Sequence, residues 1–361
     1  MQHTVESNKT MLVDGPASVR LVTGKSEVFG YPMKETQRVL IRGGKRLPFF
    51  VIEKSTFDVS LGVNSGIAET VGNTNPPSWA KAVETILSMQ KRPIVAMILG
   101  GSDCGKSSLC TYLLNNLIDG KCKVAVLDGD VGQSDIGPSA TVGYALVTKR
   151  VAELYDLKLR NAFFIGTTSP ITAASKTIEG LSAMEAEILQ GQVDFVLINT
   201  DGFVSGDIAV RYKTDLVKAL KPDIVVALQT QDELAPLIAH LETPIIVVEP
   251  SFALKQRTPE KRKTLREMTY TRYLKKAKLL CIPKSQVTIE PRGTIPKNQE
   301  PEKGILLSLY GRGTKFLGIG VLREVNIERK ALKIQTAVSI KPFRIVVGKV
   351  VLDQKLQEVQ V

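Results

Sequence analysis

The feature of the sequence that most constrains its fold is a glycine-rich stretch at residues 100–107, GGSDCGKS, which fits the pattern G-x-x-x-x-G-K-[ST]. A strand-sized apolar run precedes it at residues 94–99, and residues 108–117 are typical of a helix. Glycines let successive backbone N–H groups turn toward a bound phosphate, and the N-terminus of the following helix adds positive potential. The stretch therefore predicts a phosphate-binding loop in a protein that binds a nucleoside triphosphate.

Within this loop the general pattern assigns roles to individual residues. Lys106 is expected to bridge the β- and γ-phosphate oxygens, and the Ser107 hydroxyl to ligate Mg²⁺ or another divalent cation. Cys104 lies inside the loop, where the backbone makes the contacts, and is expected to be structural. The residues predicted to contact the triphosphate are Gly100, Gly101, Ser102, Asp103, Cys104, Gly105, Lys106, Ser107 and Ser108.

Apolar runs separated by helix-length stretches surround the loop. Their sequences are IVAMILG, KVAVLDGD, AFFIGTT, DFVLINTDG, DIVVALQT and PIIVVEP. Continuous apolar runs are typical of buried parallel strands, and the alternation of strand and helix indicates an α/β fold with a doubly wound parallel sheet. Residues 14–63 and the last 80 residues have shorter alternating runs broken by glycines, which is typical of small β-domains.

This pattern of apolar runs, together with the phosphate-binding loop, predicts a central P-loop NTPase domain flanked by two β-domains. The expected boundaries are a sandwich-like N-terminal β-domain over 1–75, the P-loop domain over 76–280 and a C-terminal β-domain over 281–361. Residues 66–77 are expected to form a linker, and an amphipathic helix is expected from Ser78 to about Gln90.

The composition excludes several classes of protein. The chain has only two histidines, His3 and His240, and its four cysteines contain no C-x-x-C pair, so a zinc site, a disulfide framework or a histidine-dependent hydrolase triad is disfavoured. No apolar run reaches the roughly 18–20 residues of a membrane span. The N-terminus lacks the layout of a secretory signal, which predicts a cytoplasmic protein with no membrane partner.

The net charge of +12 is concentrated in one segment of the chain. Residues 255–278, called the basic segment below, contain ten lysines and arginines against two glutamates and carry +8 of that charge. Such a segment attracts polyanions such as phosphates or nucleic acids. The alternative is a solvated, lysine- and arginine-rich helix face.

Carboxylates follow two of the predicted strands. Asp128 and Asp130 come directly after the run at 123–127, at the strand end where ligands bind in such sheets. One carboxylate could accept the proton of a hydroxyl acceptor while another organises magnesium through water. Alternatively, the two acids could lie in a turn and cap the next helix. Asp201, after another strand, is like the Mg²⁺ aspartate of GTPase-type switches, but the N-K-x-D base signature of such switches is missing.

Together these motifs resemble the polynucleotide 5′-hydroxyl-kinase family, in particular its stand-alone archaeal branch. Relatives in eukaryotes belong to the machineries of pre-mRNA cleavage, tRNA splicing and rRNA processing. The resemblance covers essentially the whole chain, and its most specific part is D-x-D-x-G-Q after the loop helix combined with an arginine-rich lid. The matching stretches are GGSDCGKS, DGDVGQSDIGPSA, GTTSP, NTDGF, the basic segment and KFLGIGVLREVNIERKALKIQTAV.

The resemblance implies roles for residues outside the loop. An aspartate of D-x-D-x-G-Q, which is Asp128 or Asp130 here, activates the 5′-hydroxyl, and Asp128 is also a candidate metal ligand beside Ser107. Gln133 matches the glutamine of that motif. The family's T-x-G-W clasp falls on residues 200–203, so Thr200, Gly202 and Phe203 are predicted substrate contacts, with phenylalanine in place of the tryptophan that packs on the terminal nucleotide.

The resemblance also implies that the basic segment forms a lid. Its R-x-x-x-R spacing falls on Arg262 and Arg266, which lie one helical turn apart and would clamp the transferring phosphate. The N-terminal β-domain is expected to contribute to nucleobase binding, loosely within residues 14–63.

The predicted activity is Mg²⁺-dependent transfer of the γ-phosphate of ATP or another NTP to the 5′-hydroxyl of RNA or DNA at a single-stranded or terminal end. Two alternatives belong to other classes. One is a catalytically silent NTP-binding scaffold of an RNA-processing complex, which the intact Lys106, Ser107, Asp128 and Asp130 argue against. The other is a nucleotide-hydrolysing switch, whose turnover would not depend on a polynucleotide.

Overall fold

The computed structural model describes residues 1–35, 37–118, 122–291 and 302–359. It contains two compact units. The first unit comprises Met1–Val126, Leu146–Leu157 and Gly191–Arg262, and the second comprises Leu127–Ala145, Lys158–Gln190 and Lys263–Val361. The three-domain division predicted from the sequence stays a prediction, and residues 292–301 and 360–361 of its C-terminal domain lie outside the described residues.

An antiparallel sheet forms the N-terminal part of the first unit, with strand order β4-β3-β6-β2-β7, β1 on β6 and β5 on β3. Alternating side chains fill its buried face, where the rings of Phe49 and Phe57 meet edge to face at 6.1 Å. The strands are β1 (Gln2–Val5), β2 (Lys9–Asp14), β3 (Ala17–Val28), β4 (Tyr31–Pro32), β5 (Arg38–Ile41), β6 (Arg46–Leu61) and β7 (Gly66–Val71).

The prediction of a linker over residues 66–77 is wrong for its first half. Residues 66–71 form β7, which pairs with β2 over its whole length, from Gly66 opposite Asp14 to Val71 opposite Lys9. Most of the strand is exposed or half-buried, so the apolar–polar alternation that marks a strand in a sequence is weak here.

The central part of the chain alternates strands and helices. Its elements are α1 (Pro77–Ser88), β8 (Ile94–Gly100), α2 (Lys106–Leu117), β9 (Val124–Asp128), β10 (Thr141–Val147), β11 (Asn161–Phe164), α3 (Ala174–Leu189), β12 (Phe195–Asn199), α4 (Asp207–Leu220), β13 (Ile224–Leu228), α5 (Ala235–Ile238), β14 (Ile245–Val248) and α6 (Pro259–Leu274).

Parallel strands in the order β12-β8-β13-β14 build the sheet of the first unit. Every residue of β8 is buried, because strands flank it on both sides and helices cover the sheet. The indole of Trp79 on α1 is fully buried; its N–H donates to the carbonyl of Glu249 at 2.8 Å, and its ring lies 5.5 Å from that of Tyr112 on α2. These contacts fix the helix that follows the phosphate loop.

In the second unit β10 and β11 are antiparallel, with Thr141 opposite Phe164. The run AFFIGTT, predicted as a strand of a parallel sheet, therefore pairs antiparallel with its neighbour β10, which was not predicted. Apolar composition reports the burial of a strand but not its direction, which depends on the chain connection. The α/β fold class itself is confirmed.

A second mostly antiparallel sheet forms the C-terminal part of the second unit, in the order β15-β19-β18-β17-β20-β16 with β21 on β20. Its core includes Leu306, Tyr310 and Val346, and Tyr270 and Leu274 of α6 pack into the same cluster. The strands are β15 (Lys278–Pro283), β16 (Thr288–Pro291), β17 (Ile305–Tyr310), β18 (Phe316–Asn326), β19 (Ala331–Thr336), β20 (Arg344–Leu352) and β21 (Glu358–Val359).

Within the described part of the chain, no helix is both long and apolar enough to cross a membrane. The cytoplasmic location stays a prediction.

Candidate active site

The glycine-rich stretch forms a loop between β8, which ends at Gly100, and α2, which begins at Lys106. Gly105 caps the helix with φ of +102°, a left-handed conformation that favours glycine, and a Cβ at this position would lie 3.0 Å from the side chain of Leu254. Strand, loop and helix therefore follow one another as the sequence predicts. The first N–H groups of α2 have no partner within the helix, which makes its N-terminus suited to an anion.

Lys106 is the first residue of α2 and is only 7% exposed. Its ammonium group donates to the carbonyl oxygen of Gly101 at 2.7 Å, so the side chain folds back along the loop. The loop thereby carries its own positive charge. Burial raises the pKa of the Cys104 thiol, which favours its neutral form.

The donor set of the loop fits a magnesium–triphosphate complex. Ser107 is half-buried at the start of α2. The described residues include no group of three or more His, Cys, Asp or Glu side chains able to hold a metal ion. Magnesium at phosphoryl-transfer sites typically takes one or two protein ligands and completes its shell with phosphate oxygens and water, so a single hydroxyl in the loop suits it.

The predicted clasp lies beside the phosphate loop in the first unit. The Thr200 hydroxyl donates to the carbonyl of Ile98 at 2.7 Å, and the Ser102 hydroxyl donates to the carbonyl of Gly202 at 3.4 Å. A Cβ on Gly202 would lie 2.6 Å from the Ser102 backbone, so only glycine allows this approach. The half-buried ring of Phe203 stacks on Tyr212 with centroids 6.5 Å apart.

Asp201 is a buried residue within the predicted clasp, and its carboxylate holds neighbouring groups in place. Its Oδ2 accepts a hydrogen bond from the Tyr212 hydroxyl at 2.8 Å and lies 3.0 Å from the ammonium of Lys213, while its Oδ1 accepts the N–H of Phe203 at 2.9 Å. Both oxygens therefore hold protein groups, which argues against the magnesium role of the switch interpretation. Lys213 was not singled out in the sequence, because its burial depends on how α4 packs.

In the second unit, Asp128 is the last residue of β9, directly before the loop that follows this strand, and is fully buried. One of its oxygens accepts the N–H groups of Asp135 and Ile136 at 2.8 and 3.2 Å and the hydroxyl of Ser134 at 3.0 Å. Burial, with the nearby charges of Asp135 and Asp130, raises the pKa of Asp128 to about 7. Asp128 therefore organises the loop from within.

Asp130 is half-buried in the same loop. Its Oδ1 accepts the N–H groups of Gly132 and Gln133 at 3.1 and 2.9 Å. The Gln133 side chain donates to the carbonyl of Gly132 at 2.7 Å. The alternative that these acids cap the next helix does not apply, because β10 and not a helix follows the loop. Of the two acids, Asp130 is the more exposed.

The two arginines of the R-x-x-x-R pattern have different ionic partners. Arg262 donates to the carboxylate of Asp103 in the phosphate loop at 2.7 Å. Arg266 makes a bidentate pair with Glu358, with N–O distances of 2.7 and 2.6 Å. The Tyr270 hydroxyl also donates to Glu358, at 3.2 Å. Neither carboxylate could be recognised as a partner from the sequence, because both lie far from the arginines along the chain.

The pair between Arg266 and Glu358 makes a prediction about stability. Replacing either residue with glutamine should lower the free energy of unfolding by about 1–3 kcal/mol, because the substitution leaves the other, poorly exposed charge without its ion-pair partner. The double variant should lose no more than the worse single variant, as measured by denaturant unfolding. Additive losses would show that the two side chains do not act as a pair.

The fold and the loop define a P-loop protein of the α/β class. A family model described as the mRNA cleavage and polyadenylation factor CLP1 P-loop matches residues 100–276. The polyribonucleotide 5′-hydroxyl-kinase of Pyrococcus abyssi is 34% identical over 259 residues, which are 69% of this chain and 72% of that relative. The chain belongs to the polynucleotide 5′-hydroxyl-kinase family.

Two further comparisons extend this result. The polyribonucleotide 5′-hydroxyl-kinase of Pyrococcus furiosus is 32% identical over 237 residues, which are 65% of this chain and 66% of that relative. The solved structure of the wild-type Clp1p–Pcf11p (454–563) complex matches with a TM-score of 0.80 at 12% identity and covers 98% of each chain. At that identity the structural match shows the fold alone.

Proposed function

We propose that this protein transfers the γ-phosphate of a nucleoside triphosphate to the 5′-hydroxyl end of RNA. The observation that carries the proposal is the loop between β8 and α2, with the buried Lys106 folded along it, in a chain of the polynucleotide 5′-hydroxyl-kinase family. DNA is a second acceptor to be tested. ATP is the first donor to test, because contacts between the loop and phosphates do not select the base.

On the donor side, the backbone N–H groups of the loop and the ammonium of Lys106 hold the β- and γ-phosphates. Ser107 would hold Mg²⁺, with Asp128 as the second candidate ligand through water. When bound, the ion neutralises charge on the phosphate oxygens. Lys106 stabilises the negative charge that moves to the β–γ bridging oxygen as its bond to the γ-phosphorus breaks.

On the acceptor side, the 5′-hydroxyl oxygen forms the new bond to the γ-phosphorus, and its proton passes to a carboxylate. We assign that proton to Asp130, because Asp130 is half-exposed whereas Asp128 is fully buried and engaged by the loop that it organises. The products are a nucleoside diphosphate and a 5′-phosphorylated end. Gln133 is assigned a contact with the acceptor strand.

Thr200, Gly202 and Phe203 form the proposed contact with the terminal nucleotide. Phe203 already has one neighbouring ring, Tyr212, and its remaining exposed surface offers a base an aromatic face. Stacking of this kind contributes about 1–3 kcal/mol per base. The Asp201–Lys213 pair supports this aromatic residue through the Phe203 N–H.

Arg262 and Arg266 remain the proposed arginines that clamp the transferring phosphate. Tyr270 and Leu274 are buried in the core of the second unit, so we confine lid motion to the residues before Leu265. That part of the lid includes Arg262, whereas Arg266 would act from a fixed position. A comparison of two variants distinguishes a catalytic role of Arg266 from its structural role as the partner of Glu358. If it contacts the transferring phosphate, Arg266→Gln should lower kcat well below that of Glu358→Gln at a temperature where both variants are folded.

The experiment that tests the proposal is incubation of the protein with γ-labelled ATP, Mg²⁺ and matched RNA and DNA oligonucleotides bearing a 5′-hydroxyl. Label on the 5′ end of the RNA supports the proposal, and a 5′-phosphorylated oligonucleotide is the control acceptor. Release of inorganic phosphate at the same rate with and without the oligonucleotide would instead indicate a nucleotide-hydrolysing switch.

The end of the basic segment makes a prediction about RNA affinity. Lys275, Lys276 and Lys278 are exposed, and replacing all three with glutamine should weaken RNA binding and flatten its salt dependence, with kcat nearly unchanged. Each lost phosphate contact reduces the slope of log K against log salt by about 0.7 for a single strand. Binding isotherms at several salt concentrations measure the slope.

A matched triple variant controls for the loss of net charge. Lys81, Lys91 and Lys218 are also exposed but lie outside the basic segment. Replacing them with glutamine should leave the slope close to that of the wild type. Equal slopes for the two triple variants would mean that the end of the basic segment does not contact the strand.

A further inference from the structure

Asp103 is an acidic residue at the tip of a loop that is built to bind anions. Its φ of +57° lies in the left-handed region, which aspartate tolerates better than most residues, and its side chain is only 7% exposed. A carboxylate here repels a triphosphate unless cations compensate its charge. The loop therefore holds a group that works against phosphate binding when taken alone.

Two arginines of the basic segment surround this carboxylate. Arg262 donates to its Oδ2 at 2.7 Å, and the guanidinium of Arg257 donates to its Oδ1 at 3.1 Å. The backbone N–H of Arg257 also donates to Oδ2, at 3.2 Å. The cluster of one carboxylate and two guanidiniums has a net charge of +1, which converts the unfavourable anion into a site that favours phosphate.

Arg257 is itself fastened to the N-terminal sheet. Its Nε donates to the carbonyl of Gly44, in the turn between β5 and β6, at 3.2 Å. Next to it, Lys255 pairs with Asp14 at 2.8 Å. Asp103 is therefore joined, through Arg257, to a stretch of chain at residues 255–257 that is itself bonded to the N-terminal sheet. Arg262 follows this stretch in the first turn of α6.

We infer that Asp103 is a positioning residue that holds Arg262, together with Arg257, at the phosphate loop. Its carboxylate does not contact the reacting atoms in this role but fixes the direction of the guanidinium groups. The inference rests on the proposed function in one respect, namely that Arg262 acts on the transferring phosphate. The attachment of the basic segment to the loop does not depend on that function.

Asp103→Asn is the decisive variant, because asparagine also tolerates a positive φ and has nearly the same shape. We expect kcat for RNA phosphorylation to fall about tenfold. We expect the Kd for ATP, measured by equilibrium titration without RNA, to stay constant or fall, because a negative charge beside the phosphates is gone. A residue that only shapes the loop would raise that Kd, so a raised Kd or an unchanged kcat overturns the inference.

Asp223→Asn is the matched control. Asp223 also pairs with a cation, Lys91 at 2.6 Å, and accepts a backbone N–H, that of Val95 at 2.9 Å, but neither partner belongs to the basic segment. The change in net charge is the same. We expect kcat to equal that of the wild type; a tenfold fall here as well would mean that the loss of any paired carboxylate lowers activity and would overturn the specific role of Asp103.

A double-mutant cycle with Arg262→Gln completes the test. If Asp103 acts through Arg262, the double variant should be no slower and melt no lower than the worse single variant. Additive losses in both measurements overturn the inference. If the wild type labels no 5′ end, the proposed function fails, whereas the ATP titration and the melting temperatures still decide whether Asp103 holds the arginine.

Discussion

Replacing Lys106 with alanine should reduce transfer of labelled γ-phosphate to 5′-hydroxyl RNA by at least about a hundredfold, the effect of losing one preorganised transition-state donor. Its ammonium already lies along the loop, 2.7 Å from the Gly101 carbonyl, so little rearrangement precedes its contact with the phosphates. Initial rates at saturating RNA and ATP measure the loss.

Two comparisons separate this effect from damage to the fold. Lys106 is buried, so Lys106→Met, which keeps most of the side-chain volume, should lose activity equally while retaining the melting temperature of the wild type. Lys81→Ala removes an exposed lysine from α1 and should leave the rate unchanged. Phosphorylation at the wild-type rate by either Lys106 variant would refute the assignment of the phosphate loop.

Asp130→Asn should lower kcat by about 10²–10⁴, the contribution of a positioned general base. The loop should survive the change, because the asparagine oxygen can still accept the N–H groups of Gly132 and Gln133. The Kd for ATP should change little. Single-turnover rates and an ATP titration provide the two measurements.

Asp128→Asn should behave differently and thereby distinguish the two acids. Asp128 uses both oxygens as acceptors, from Asp130 on one side and from Asp135, Ile136 and Ser134 on the other, and an amide keeps only one of them. This variant should therefore lose stability as well as rate. Asp215→Asn, on the exposed surface of α4, is the control. A normal rate for Asp130→Asn would mean that its carboxylate is structural.

The sequence predicts the phosphate loop well because local chemistry determines it. An apolar strand, the constrained Gly105 and a helix-forming stretch leave few conformations, and the structure ends β8 at Gly100 and begins α2 at Lys106. The position of residues 200–203 near the loop is predictable for a similar reason, since they directly follow a buried strand next to β8 in the sheet. Their role as a clasp stays a prediction.

The ionic partners of the site could not be predicted in this way. Arg257 and Asp103 are 154 positions apart, and Arg266 and Glu358 are 92 positions apart, so no local pattern links them. The count of charges along the sequence identifies the basic segment, but it does not show that the arginines of this segment pair with carboxylates of the protein. Lys213 was missed because a single lysine in an amphipathic helix resembles a surface residue until the packing of α4 is known.

The position of Trp79 gives the protein a built-in optical probe. It is the only tryptophan of the chain, it lies wholly within the first unit, and its buried indole contacts the helix that follows the phosphate loop. Its emission shifts to longer wavelength when water reaches the ring, so fluorescence follows the melting of that unit alone. Circular dichroism averages over both units, and coincidence of the two unfolding curves would mean that the chain melts as one cooperative body.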